Sequence, residues 1–126
     1  MSTKAIKDLI SFDHPLALGA VNTTTSSAAI DFQGAEENAI EFQVGVRTDG
    51  VTTPSLSDSP DGVTYTAVPA ANIVGSLSPL ASNVNQKVSY VGPYRWVKAV
   101  LTSAGATTGV VVGVNVITKP RRQPAP

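Results

Sequence analysis

Residues 39–47 read AIEFQVGVR, and the order of apolar and polar residues in this stretch decides the fold class. Apolar side chains occupy every second position, which is the period of a β-strand that buries one face and exposes the other. An amphipathic helix would instead place them three and four positions apart. The residues that the pattern assigns to the buried face are Ile40, Phe42, Val44 and Val46.

Two later stretches repeat this period. In RWVKAVLT, residues 95–102, one face is apolar and the other is mixed, whereas in GVVVGVNVIT, residues 109–118, one face consists only of valine. The second face of 109–118 is half apolar, which is typical of a strand that is covered on both sides. The predicted faces contain Val97, Ala99 and Leu101; Trp96, Lys98 and Val100; and Val110, Val112, Val114 and Val116. We expect Phe42 and Trp96 to be large core side chains.

Weaker strand patterns complete the chain, and turns separate them. These strands are LALGAVN, SAAIDF, VTYTAV and KVSYV, and the turns are SDSPDG at 57–62 and the Gly92-Pro93 pair. Residues 70–86 are predicted to form a long surface loop or a crossover between sheets. Only residues 5–10 and 35–38 could form a helical turn, and both are far shorter than a self-supporting helix.

These patterns predict an all-β protein, an antiparallel β-sandwich of the jelly-roll or immunoglobulin-like kind with seven or eight strands. At 126 residues the chain has the length of one domain. We divide it into an extended N-terminal arm (1–15), the sandwich domain (16–118) and a basic, proline-rich C-terminal tail (119–126). The tail reads KPRRQPAP, and its three prolines disfavour both a helix and a place inside a sheet.

Charge is scarce and unevenly distributed. Only 14% of residues are charged and the formal net charge is zero, which favours association over repulsion. Residues 15–118 contain four cations and seven anions, a net charge of minus three, while 119–126 contain three cations and no anion. The arm lacks the apolar stretch of a signal peptide, and the apolar run 99–117 is interrupted as two strands would be. We therefore expect no membrane partner and, from the acidic body, no nucleic acid.

Side chains that could carry chemistry are few. His14 is the only histidine, which excludes sites that need two imidazoles and leaves one base near a chain end. That position is poorly suited to hold a general base within proton-transfer distance. The chain has no cysteine and none of the phosphate-loop, dinucleotide-binding, zinc-hydrolase or nucleophile-elbow motifs. We therefore expect no enzymatic activity and no cofactor.

Two weaker site hypotheses remain. Asp58 and Asp61 flank Pro60 and could offer oxygens to Ca²⁺, but their spacing lacks the alternating acidic ligands of calcium loops, so capping of a tight turn is favoured. An aromatic set could form a stacking platform for a sugar or a base, although core and rim packing is the more common use. This set is Tyr65, Tyr90, Tyr94 and Trp96, with Arg95 and Lys98 nearby.

The second half of the chain carries a family resemblance. Its features are, in order, a Ser-Asp-Gly turn before a Thr-Tyr pair (57–65), a Tyr-Val-Gly-Pro-Tyr-Arg-Trp-Val strand (90–97), a Thr-Gly-rich hairpin (102–109), a valine-rich strand (110–117) and a Pro-Arg tail (120–122). Together they resemble small virion proteins of tailed bacteriophages and prophages, over most of residues 40–122. The same turn and RWVK-type strand are similar to galactose-binding, discoidin-like sandwiches, for which this chain is short.

The resemblance implies a non-enzymatic structural protein of the phage head, most simply a decoration or cement protein that stabilises the assembled capsid. It also implies synthesis in the host cytoplasm and a place in the virion, with the major capsid protein or other virion proteins as partners. A homo-oligomer is expected, with a trimer favoured. The alternatives are a head-tail connector or tail component and, outside the virion, a carbohydrate-binding module. The candidate partner contacts are the cations of the two extensions: Lys4, Lys7, Lys119, Arg121 and Arg122.

Overall fold

Ten strands and one 3₁₀ turn form the part of the chain that the computed structural model describes, residues 10–120 without the side chains of Glu36 and Pro120. Six strands have five or more residues and four have two. The strands are β1 (Ser11–Val21), β2 (Thr25–Ser26), β3 (Ile30–Asp31), β4 (Ala35–Arg47), β5 (Val51–Ser59), β6 (Thr66–Ala67), β7 (Ile73–Val74), β8 (Gln86–Tyr90), β9 (Trp96–Ala104) and β10 (Val110–Pro120), with the 3₁₀ turn at Ala70–Asn72.

The strands pair into two antiparallel sheets. Sheet A has the order β1-β10-β4-β8-β7, and sheet B has the order β2-β9-β5-β6, with β3 also paired to β9. Every strand pair is antiparallel. The predicted all-β antiparallel sandwich is therefore confirmed. Two of the two-residue strands lie inside longer predicted strands, β3 in SAAIDF and β6 in VTYTAV, whereas β2 precedes SAAIDF and β7 lies in the segment predicted as a loop.

The core lies between the two sheets and follows the predicted alternation. Sheet A contributes alternate residues of β4 and β10, and sheet B contributes those of β5 and β9. Burying each such side chain stabilises the fold by roughly 1.5–3 kcal/mol. The buried residues of these strands are Ile40, Phe42, Val44, Leu56, Val97, Ala99, Leu101, Val110, Val112, Val114 and Val116.

Val46 does not belong to this core, contrary to the pattern of 39–47. Its side chain is 59% exposed. Val112 of β10 opposes Val44, whereas Val110 opposes Arg47, so β4 carries one extra residue between these two pairs. Such a bulge reverses the side-chain alternation beyond it, and Val46 is consequently turned toward solvent.

Trp96 also lies outside the core. Val97 is fully buried, so its neighbours in β9 point to the outer face of sheet B, where Trp96 is half-buried beside the turn at Gly62. The Arg95 guanidinium lies over the indole ring, 4.5 Å from its centroid. The prediction that Trp96 is a core residue is therefore wrong, and Phe42 alone has that role.

The ends of the sandwich extend further than the sequence indicated. Residues 11–15, assigned to the arm, belong to β1 and pair with β10. At the other end, Lys119 opposes Glu37 and Pro120 opposes Ala35, so residues 119 and 120 continue β10. Residues 35–38 are likewise part of β4 and not a helical turn. Lys4, Lys7, Arg121 and Arg122 lie outside the described residues.

The segment 70–86 is not only a surface loop. Ile73 and Val74 form β7 against Tyr90 and Ser89 of β8. Leu80 is 3% exposed and belongs to the core, held there by a hydrogen bond from its backbone N–H to the Thr52 carbonyl (2.9 Å). The segment therefore closes one side of the sandwich.

Candidate functional site

A groove of about 880 Å³ opens at the end of the sandwich where both β1 begins and β10 ends. Its two walls are residues 32–38, which connect β3 to β4 and include the start of β4, and residues 89–95, which include the end of β8 and its connection to β9. The exposed lining combines apolar groups, Val91, Pro93 and Tyr94, with polar ones, Gln33 and Glu37. This is a mixed surface suited to a ligand that is partly apolar and partly charged.

The groove exists because β4 and β8 separate. They pair regularly from Phe42 to Ile40, but the next contact is made by the Asn38 side chain. Its amide donates to the Tyr90 carbonyl (2.8 Å) and accepts from the Tyr90 N–H (2.9 Å). The Ser89 hydroxyl donates to the Asn38 carbonyl (2.7 Å). Because a side chain replaces the backbone ladder here, both strands satisfy their hydrogen bonds while leaving space between the walls.

A buried hydrogen bond between the two sheets lies behind the groove. The Tyr90 hydroxyl, at the end of β8, donates to Oδ2 of Asp58 in β5 (2.7 Å), and these residues are 4% and 3% exposed. Burial and the bond to Asp58 together raise the pKa of Tyr90 to about 12. The same hydroxyl accepts from the Tyr94 N–H (3.1 Å), and the Phe32 ring stacks on the Tyr90 ring with centroids 6.0 Å apart. Tyr90 therefore fixes both walls of the groove.

An ion pair braces the rim. The Arg95 guanidinium donates to both carboxylate oxygens of Asp31, from Nε and Nη2, each at 2.8 Å. The Arg95 side chain holds the pKa of Asp31 below its ordinary value, and both groups remain largely exposed. Arg95 lines the groove but is already paired with Asp31. Among the lining side chains that the structure describes, the Glu37 carboxylate therefore has no cation as a partner.

The predicted aromatic platform is not formed as one surface. Tyr90 is buried, Tyr94 is 40% exposed at the groove, and Trp96 lies on the outer face of sheet B. Tyr65 packs beneath Lys98, whose Nζ is 4.5 Å from the ring centroid. The hypothesis of a four-ring stacking platform is therefore wrong, although Tyr94 retains an accessible ring.

Asp58 and Asp61 do not converge on a common point. Asp58 points inward to Tyr90, whereas Oδ1 of Asp61 accepts from the Ser59 hydroxyl (2.8 Å) and from the Val63 and Thr64 N–H groups (2.9 and 3.1 Å). The Val63 N–H is the main cause of a lowered Asp61 pKa. This is turn capping, the interpretation that the spacing favoured. Within residues 10–120, no group of three or more acidic, histidine or cysteine side chains could hold a metal ion.

His14 takes part in a network that sequence reasoning missed. Its Nδ1 lies 2.8 Å from Oδ1 of Asn115, whose amide donates to Glu41 (3.0 Å) and Gln43 (3.1 Å). The network crosses β1, β10 and β4 on the outer face of sheet A. Polar residues at alternate positions of 109–118 and 39–47 were a signal for this face, but the contacts depend on the pairing of strands distant in sequence.

The outer face of sheet B carries few charged side chains. In β5 the buried alternate positions are Thr52, Pro54, Leu56 and Asp58, so the intervening side chains point outward. The outward residues, with their partners in β9, are Val51 with Ala104, Thr53 with Thr102, Ser55 with Val100 and Ser57 with Lys98. Three of these four pairs contain only short, uncharged side chains, and Lys98 is the cation at one end. Side chains this short allow a facing protein surface to approach the sheet closely.

Comparisons with known proteins identify no family. No protein-family model matches the chain, and no curated protein is significantly similar to it. Among solved structures, three chains match significantly. One of them comes from work describing Bacillus endospore appendages as a novel family of disulfide-linked pili. Its sequence is 17% identical to this one, the alignment covers 97% of this chain and 98% of that chain, and the TM-score is 0.49. That likeness carries no argument about function, and this chain contains no cysteine.

Within the described part of the chain, no helix has the length and apolar character that a bilayer crossing needs.

Proposed function

We propose that this chain is a non-enzymatic structural protein of a phage virion, a decoration protein that binds the assembled head and stabilises it. The observation that carries the proposal is the outer face of sheet B along β5 from Val51 to Ser57, where the side chains are short and uncharged except for Lys98 opposite Ser57. Seven residues of strand extend over roughly 20 Å, a length that could contact more than one shell subunit. The virion-like order of motifs in residues 40–122 supports the same assignment.

The chemistry of this face suits attachment to a flat protein surface. Thr53, Ser55 and Thr102 have short side chains, so that holding them in an interface costs little rotamer entropy. Their hydroxyls can donate to and accept from a facing backbone, and the absence of charge along most of the face avoids a desolvation penalty. The expected partner is therefore the major capsid protein or another virion protein, and the expected location is the phage head.

Co-sedimentation with phage heads tests this function. Heads from the phage or prophage that encodes the chain, assembled without it, should pellet with the wild-type protein to saturation. Ser55→Lys should bind at least about tenfold more weakly, since it buries an unpaired charge in the interface. Its melting temperature should be unchanged, because Ser55 is exposed.

The matched control is Ser78→Lys, which places the same charge on an exposed residue outside sheet B. It should bind heads like the wild type. If the wild type does not pellet with heads, decoration is excluded; if Ser55→Lys binds as tightly as Ser78→Lys, the outer face of sheet B is not the contact. Binding only to isolated tails or connectors would instead favour the connector or tail role.

A further inference from the structure

The groove between residues 32–38 and 89–95 has a surface that matches the C-terminal segment of this same chain. We propose that the groove binds residues 121–126 of a second copy, so that copies are joined by exchange of their C-terminal segments. The inference goes beyond head attachment and does not depend on it.

The first support is the place where the chain leaves the sandwich. Lys119 opposes Glu37 and Pro120 opposes Ala35, and both Glu37 and Ala35 line the groove. The described part of β10 therefore ends beside one wall of the groove. A segment of six residues in the polyproline conformation is roughly 19 Å long, enough to cross a groove of this size.

The second support is chemical complementarity. Residues 119–126 read KPRRQPAP, with prolines at 120, 124 and 126. Proline-rich segments bind grooves lined by aromatic and apolar groups, because their backbone is already extended and loses little entropy. Val91 and Tyr94 present such groups, 58% and 40% exposed.

Charged groups would set the orientation of the bound segment. Arg121 and Arg122 are the cations of the segment, and the Glu37 carboxylate in the groove wall is the acceptor proposed for them. Arg95 does not oppose their approach strongly, because Asp31 neutralises its charge through two hydrogen bonds. Arginine can bind a carboxylate through two parallel hydrogen bonds, which sets the orientation of the segment.

The path of the chain favours a second copy over the same one. In sheet A, β4 separates β10 from β8, so the groove lies on the far side of β4 from the end of β10. To enter its own groove the chain would have to turn back around residues 32–35 within the first residues after Pro120, whereas a proline-rich segment favours an extended, semi-rigid conformation over several residues. A neighbouring copy presents its groove without that constraint. Since exit and groove share one end, the exchange can close around a two-fold or three-fold axis.

Truncation and peptide binding test the exchange. By light scattering after gel filtration, the full chain should be an oligomer, and the chain ending at Pro120 should be a monomer with an unchanged melting temperature. A peptide of residues 119–126 should bind the truncated chain with one site per copy in calorimetry. Binding should weaken as salt rises, because the arginine contacts are screened.

Matched variants of the truncated chain locate the site. Tyr94→Ala and Glu37→Gln should each weaken peptide binding at least about tenfold. Tyr65→Ala and Glu41→Gln remove the same kinds of group outside the groove and should bind the peptide like the parent. All four proteins are compared at equal folded fraction, measured by circular dichroism.

Three results would overturn the exchange. The truncated chain could retain the mass of the full oligomer and ignore the peptide. The full chain could be a monomer while the truncated chain binds the peptide, which would place the segment in its own groove. A glycan could bind the groove and be lost in Tyr94→Ala while the peptide does not bind, which would assign the site to sugar. None of these measurements uses phage heads, so failure of the exchange and failure of head attachment are separate outcomes.

Discussion

At the scale of single residues, the hydrogen bond between Tyr90 and Asp58 connects the stability of the fold to the shape of the groove. It joins strands of different sheets, and its hydroxyl also accepts from the Tyr94 backbone. A buried carboxylate needs such a donor, since leaving it without a partner costs roughly 1–3 kcal/mol or more. Tyr90 is therefore the residue whose loss should affect both sheets and the groove together.

We expect Tyr90→Phe to destabilise the protein by about 1–3 kcal/mol in denaturant melts near neutral pH, because Asp58 loses its donor. The matched control is Tyr65→Phe. The Tyr65 hydroxyl is buried without a hydrogen-bond partner among the described residues, so its removal should cost nothing. Equal destabilisation by both changes would show that the bond to Asp58 contributes no stability.

The pH dependence has a definite sign. The pKa of Tyr90 is raised from 10.0 to about 12 on folding, so the folded state holds the phenol proton more tightly than the unfolded state. This stabilisation is fully present below pH 10 and is lost as the pH rises from 10 toward 12, up to roughly 2–3 kcal/mol. The stability difference between wild type and Tyr90→Phe should therefore shrink over that window. A difference that stays constant to pH 12 would contradict the raised pKa.

At the scale of elements, the connection between β9 and β10 crosses from sheet B to sheet A and is therefore a loop, not the hairpin predicted for residues 102–109. Its backbone N–H groups attach it to the turn between β4 and β5. The Asp49 carboxylate, in the β4–β5 turn, accepts from the N–H groups of Thr107, Thr108 and Gly109, at 2.7 Å from Gly109. These hydrogen bonds lower the pKa of Asp49, and the bond from Gly109 has the largest effect. Gly109 itself has a φ of +81°, and a Cβ added there would meet the backbone of Val21 at the end of β1. Because Gly109 has no side chain, the β9–β10 connection can pack against both the β4–β5 turn and the end of β1.

Gly109→Ala and Gly105→Ala should separate backbone strain from steric overlap in this loop. Both positions have positive φ, which costs a non-glycine residue roughly 1–2 kcal/mol, but a Cβ at Gly105 meets nothing within 4 Å. We expect Gly105→Ala to lower the free energy of unfolding, measured by chemical denaturation, by about that amount. Gly109→Ala should lower the free energy of unfolding by several kcal/mol more, or prevent folding, because the added Cβ would overlap the Val21 backbone unless Val21 moves. Similar losses for the two changes would show that the close approach of β1 to the β9–β10 loop is dispensable.

At the scale of the whole molecule, packing between the sheets dominates over charge. Within the described residues the ion pair is Arg95 with Asp31, whose side chains are 43% and 40% exposed. Exposed pairs contribute at most about 1 kcal/mol, while the core buries apolar side chains from both sheets. The low charge content therefore affects what the surface can bind far more than whether the chain folds.

The melting temperature of the isolated protein should consequently change by less than about 4 °C between about 0.05 and 0.5 M NaCl. Asp31→Asn removes the ion pair and should reduce even that small dependence of the melting temperature on salt. The same salt range should strongly weaken binding of the 119–126 peptide, since that contact is proposed to use exposed arginines. A shift of the melting temperature beyond about 10 °C would contradict a fold held by apolar packing.

The sequence by itself determined the fold class, most of the core and the turn at 57–62. The valine face of β10 and the apolar face of β9 follow from alternation at period two, a local property that any strand must obey. Turn capping by Asp61 is equally local, because its partners lie within three residues. The cations proposed as partner contacts were likewise visible from composition, although four of the five lie outside the described residues.

Only the tertiary structure decided the bulge at Val46, the outward position of Trp96, the Tyr90–Asp58 bond and the groove. Each depends on which strands pair and in which register, and register is set by contacts between residues far apart in sequence. Tyr90 and Asp58 are 32 residues apart and lie in different sheets, so no local pattern could bring them together. The groove arises in the same way, because the Asn38 side chain separates two strands whose own sequences would each predict regular pairing.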